Sequence, residues 1–128
     1  MVLSWRQLAS LLGPPGPMPP QVVWLASPQA NDRRILLRAP QALTISRVDA
    51  VLTGGTSPSV SFSLRHGADV SAAGTAATSD PITTTSTTSG SGSTSFQSPE
   101  IAEGHWLWLQ VTAASGSPAG LTVSIELP

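Results

Sequence analysis

The sequence has no cysteine and no lysine, and only 10% of its 128 residues are charged. Without cysteine there are neither disulfides nor thiolate metal ligands, so a small domain must be held by packing or by oligomerisation. The six arginines are scattered, with only Arg33 and Arg34 adjacent, and the formal net charge is −1. That leaves no basic stripe to neutralise phosphates, and nucleic-acid binding is not expected. No apolar run approaches the ~18 residues of a membrane span. The start, Met1-Val2-Leu3-Ser4-Trp5-Arg6, also lacks the basic-then-apolar order of a Sec signal. A soluble chain with no membrane partner is expected. The catalytic motifs are missing too: there is no G-x-S-x-G, H-E-x-x-H, P-loop or G-x-G-x-x-G. The sequence reads as a non-enzyme with no catalytic residues, no cofactor and no metal ion.

What is present is hydroxyl. Ser and Thr number 32, so polarity is carried by hydroxyl groups and not by charge. Thr favours strands and Ser favours turns, a balance common in fibres, capsids and adhesins. The length suits one domain with appendages.

Three segments follow in order. Ser4-Trp5-Arg6-Gln7 has capping-box spacing and Gly13 sits where a helix ends, so the spacing predicts a helix over residues 5–12. Trp5, Leu8, Leu11 and Leu12 form its apolar stripe. A helix this short is marginal alone and must dock, either on its own domain or on another chain. Residues 1–13 are therefore read as an N-terminal anchor helix. Residues 14–30 read as a Pro-rich extended linker, in which five prolines between Gly13 and Pro20 favour polyproline II. Its Val22-Val23-Trp24-Leu25 run is either a first strand or a hook onto a neighbour, with Trp24 as the anchoring side chain. Residues 31–128 read as an all-β domain, an antiparallel sandwich of jelly-roll type, because short alternating strands recur between turn signals.

Within that domain, Val60, Phe62 and Leu64 alternate with Ser59, Ser61, Ser63 and Arg65 in the cleanest strand, which Gly67 closes. A phase change near Arg47, between Leu43/Ile45 and Val48/Ala50/Leu52, predicts a bulge. The Thr-rich run over residues 82–88 is expected to pair with residues 93–97 as an exposed hairpin with a mobile Gly-Ser tip. A terminal hairpin is expected over residues 103–128, with His105, Leu107, Leu109 and Val111 facing the core and Leu121, Val123, Ile125 and Leu127 repeating the pattern. Trp106 and Trp108 fall on the other face.

Few groups could carry chemistry. His66 and Asp69 could meet across a turn, but no nucleophile accompanies them. His105 reads as a hydrogen-bonded core or rim histidine, and a metal shared by His66 and His105 would need tertiary proximity. Trp106 and Trp108, at i and i+2, form an aromatic platform about 7 Å long. It is expected to bury against another layer, the linker or a sister subunit, or less readily to stack a sugar.

The pattern Pro99-Glu100-Ile101-Ala102-Glu103-Gly104-His105-Trp106-Leu107-Trp108-Leu109, with Thr112-Ala113-Ala114-Ser115-Gly116 and Leu121-Thr122-Val123, resembles the C-terminal β-hairpins of small tailed-bacteriophage virion proteins. These are head fibres, capsid decoration proteins and fibre tips. The resemblance covers about 70 residues, from Val60 on, and is one of glycine, aromatic and alternating positions. It implies a homotrimer located in the virion, attached by its N-terminal segment to a major capsid protein or another virion protein. It carries over no catalytic residue. The alternative is a receptor- or carbohydrate-binding fibre tip that meets a host glycan through Trp106, Trp108 and the Thr-rich hairpin over residues 82–97.

Overall fold

The computed structural model describes residues 20–78 and 80–127. The helix expected over residues 5–12, with Trp5, Leu8, Leu11 and Leu12, lies outside them. The described chain is all-β, with antiparallel sheets and no helix. Its strands are β1 (Gln21–Ala26), β2 (Arg33–Arg38), β3 (Leu43–Thr44), β4 (Arg47–Thr53), β5 (Ser59–Gly67) and β6 (Thr75–Ala76). They continue as β7 (Ile82–Thr84), β8 (Ser91–Ser93), β9 (Glu100–Ile101), β10 (Trp106–Ser115) and β11 (Gly120–Glu126). One sheet runs β1-β11-β4-β8, a second runs β2-β10-β5-β6 with β7 also on β5, and β3 pairs with β9.

The two larger sheets share one core. Val48, Ala50 and Leu52 of β4 and Leu121, Val123 and Ile125 of β11 belong to the same buried cluster as Val60, Phe62 and Leu64 of β5 and Leu107, Leu109 and Val111 of β10. Each set occupies alternate positions of its strand, which is why the period-2 pattern marks them. Leu43, Ile45 and Ile101 extend the cluster toward the β3–β9 pair.

Three connections at one end explain the strand order. Residues 27–32, 54–58 and 116–119 each carry the chain from one sheet into the other, joining β1 to β2, β4 to β5 and β10 to β11. The order β1-β11-β4 in one sheet is therefore repeated as β2-β10-β5 in the other. The same device makes all three arches: a serine at left-handed φ (Ser27 45°, Ser57 45°, Ser117 50°) followed by a buried proline, Pro28, Pro58 or Pro118. A residue before proline ordinarily stays extended, so this conformation needs support from its surroundings. The arches supply it by stacking: Ser27 N–H donates to Ala119 O (2.8 Å), Ala119 N–H to Thr53 O (2.7 Å) and Thr56 N–H to Gly116 O (2.9 Å). The stack is close enough that a Cβ on Gly116 would stand 2.5 Å from Thr56 O, and one on Gly55 2.6 Å from Gly116 O.

Several expectations are corrected here. The chain does not end in a hairpin. β10 pairs with β2 and β5, β11 pairs with β1 and β4, and the segment between them is an arch. In different sheets, the leucine faces of β10 and β11 belong to one buried cluster. The Thr-rich hairpin is likewise absent. β7 ends at Thr84 and pairs with β5, while the Gly-Ser stretch expected to be a mobile tip is strand β8 on β4. Ser86 Oγ accepts the backbone N–H groups of Thr88, Ser89 and Gly90, so the threonine run turns there and crosses sheets. The phase change near Arg47 is a break between β3 and β4 and not a bulge. Residues 21–26, placed within the linker with Val22-Val23-Trp24-Leu25 read as either a first strand or a hook, form strand β1, in register with β11 from Gln21↔Ile125 to Ala26↔Gly120.

Candidate functional site

The two tryptophans expected to form a platform have different surroundings. Trp108 is fully buried. Residues 68–74, between β5 and β6, fold back over the outer face of the second sheet and cover it. Arg33 stacks on its ring at 5.0 Å and reaches across to Ala72 O at 3.3 Å, while Arg65 Nη1 donates to Ala73 O at 3.1 Å. Gly74, at φ +68°, is a glycine because a Cβ there would stand 2.5 Å from the indole. Asp69 shapes the segment's turn by accepting from Ser71 N–H (2.9 Å) and Ser71 Oγ (2.6 Å), and these bonds hold its carboxyl below the usual range. Trp106 is half-buried, with Arg38 above its ring at 5.9 Å. The outer face of β10 is therefore filled by the chain itself at Trp108, whereas Thr112, Ala113 and Ser115 farther along the strand are exposed. Ser63, expected to face outward, is 4% exposed.

The histidines do not build a reactive pair. His66 Nε2 lies 2.8 Å from Ser98 O, so His66 and Asp69 have separate partners. His105 is half-buried, and its backbone serves the turn before β10, donating to Ala102 O and accepting from Ala39 N–H. No group of three or more His, Asp or Glu among the described residues could hold a metal ion. A hollow of about 440 Å³ lies at the stacked arches between residues 27–30 and 114–119, and no ionisable side chain lines it.

What the structure leaves open is one flank. Among the described residues the exposed large hydrophobics are Val22 (66%), Trp24 (54%) and Ile35 (53%), all on β1 and β2, which are the terminal strands of the two larger sheets on the same side. Trp24 points outward and lies over Gly120 of β11, where any Cβ would collide with the indole. Thr122 and Ser124 continue this face on β11, beyond which Arg47 and Asp49 of β4 close an ion pair at 2.7 Å. Between the edges of β1 and β2 runs a cleft of about 170 Å³, lined by Gln21, Val22, Val23, Arg34, Ile35, Leu36 and Ile125. The sequence pointed to Trp24 but not to Ile35 or Arg34. Their signal is combinatorial: they become a site only because β1 and β2 turn out to be neighbouring edges.

The fold and flank define an all-β protein with an open apolar edge. No known protein family, curated protein or solved structure matches the chain.

Proposed function

We propose that this chain is a non-enzymatic structural protein of a virion, a jelly-roll sandwich that assembles as a homotrimer and decorates or cements a capsid, held there by its N-terminal segment. The observation that carries the reading is the concentration of exposed Val22 and Trp24 on β1, beside a nearly neutral sheet face, at the point where residues 1–20 join the domain. Contiguous apolar surface of this kind marks a contact with another chain. The jelly-roll assignment is supported by the sheet orders β1-β11-β4-β8 and β2-β10-β5-β7, which are those of a chain doubled back on itself and rolled into two layers. The virion assignment rests on the resemblance carried by residues 99–123 and on the low charge and high hydroxyl content. In this reading burial at ~25 cal/mol per Å² supplies the stabilisation, and three linked N-terminal segments raise one another's effective concentration at the particle. A carbohydrate-binding tip built on Trp106 and Trp108 has less support, because Trp108 offers a sugar no accessible face.

Cosedimentation of the purified protein with capsids tests the attachment. A variant with Leu8, Leu11 and Leu12 replaced by serine is expected to remain in the supernatant while the wild-type chain pellets. Equal pelleting would overturn the role given to residues 1–13.

A further inference from the structure

We infer that the cleft beside β1 receives an extended strand from a different polypeptide, apolar in character and carrying a carboxylate that meets Arg34. This goes beyond trimerisation on the outer face of Trp24, because it concerns the edge of the sheet and a partner of another composition.

The first argument is the state of the two edges. β1 is regular over all six residues, without a bulge, a proline or a charged side chain, and it pairs on one side only, with β11. Natural edge strands are ordinarily blunted against exactly such pairing, and β2 is: it carries Arg33, Arg34 and Arg38, and its register with β10 shifts at Leu107/Trp108. Of the two neighbouring edges, only β1 is left as a template. A strand added there places alternate side chains on the outer face beside Val22 and Trp24, and the others in the cleft toward Val23, Leu36 and Ile125.

The second argument is charge. Arg33 and Arg38 are engaged by their own chain, on Ala72 O with Trp108 and on Gly104 O with Trp106. The neighbouring carboxylate of Asp32 accepts Gln29 N–H. Arg34 has no hydrogen bond, ion pair or ring contact among the described residues, and it lines the cleft. Its register partner is Leu109, a core residue, so the guanidinium stands at the rim of the core. A carboxylate there is favoured and a second cation is not.

The same facts disfavour two occupants from this chain, a second β1 and residues 1–20. Twofold β1-to-β1 pairing would bring β2 against its copy, setting Arg33, Arg34 and Arg38 against their equivalents. Residues 1–20 carry Arg6, no acidic group and five prolines, which lack the N–H a ladder needs.

Fluorescein-labelled octapeptides of alternating valine and glutamate, alternating valine and lysine, and the glutamate peptide N-methylated at alternate amides are suitable probes for fluorescence anisotropy with the full chain. The glutamate peptide is expected to bind about tenfold more tightly than the lysine peptide, a difference of ~1.4 kcal/mol, and N-methylation is expected to abolish binding. Arg34→Lys keeps that order and Arg34→Glu reverses it. If Arg34 only guards the edge, Arg34→Glu leaves the order unchanged, and that result overturns the proposal, as does the absence of binding by every peptide. Light scattering on the same samples reads the trimer separately, so failure here and failure of the homotrimer reading are distinguishable.

Discussion

Trp108 and Trp24 both project from the outer faces of the sheets, and they end in opposite circumstances. Trp108 is sealed by residues 68–74, with Arg33, Arg65 and Gly74 fitted to hold that cover, whereas Trp24 lies over Gly120 with half its surface open. The two outer faces thus differ. On the second sheet residues 68–74 cover the indole, and on the first Val22 and Trp24 stay exposed. The two indoles should therefore report different things when disturbed, one the stability of the chain and the other its association.

The largest expected effect is on the covered side. Trp108→Ala removes a fully buried indole and should cost about 3–5 kcal/mol, measured by urea unfolding at fixed chain concentration. Gly74→Ala should follow, at about 1–3 kcal/mol, since the methyl meets the indole and φ is left-handed. Arg33→Ala should cost about 1 kcal/mol and expose Trp108 to acrylamide quenching. Trp24→Ser should leave the urea midpoint of the dissociated chain nearly unchanged, and a loss as large as that of Trp108→Ala would erase the contrast.

The smallest effect is a pH response of the cover. Asp69 has a lowered folded-state pKa because Ser71 donates to its ionised form. Its contribution is present above the unfolded pKa and is lost as pH falls through the folded one. Amide exchange at residues 68–74, corrected for its intrinsic pH dependence, should therefore accelerate below the ordinary carboxylate range, and Asp69→Asn should remove that response.

The same contrast marks what could be read from the sequence. Period-2 alternation identified β5, β10 and β11 and their core faces, because a strand with one buried side writes that side into every second residue. It could not say which strands pair. The turn between β10 and β11 looks like a hairpin connection, and only stacking against the other two arches makes it a crossing. Ser27-Pro28, Ser57-Pro58 and Ser117-Pro118 recur at the three arches, but Ser98-Pro99 repeats the dipeptide without the left-handed serine, so the dipeptide alone did not reveal the crossing. The cover over Trp108 left fainter traces, in a glycine and two arginines far apart in sequence. Arg34 and Ile35 left none, because a site between two edges exists only once the strand order is known.

The most direct test of the open flank is light scattering of the full chain beside a Val22→Ser/Trp24→Ser variant. The account predicts a wild-type mass of three chains and a folded variant reduced to one. A wild-type monomer, or a variant that remains a trimer, would contradict it.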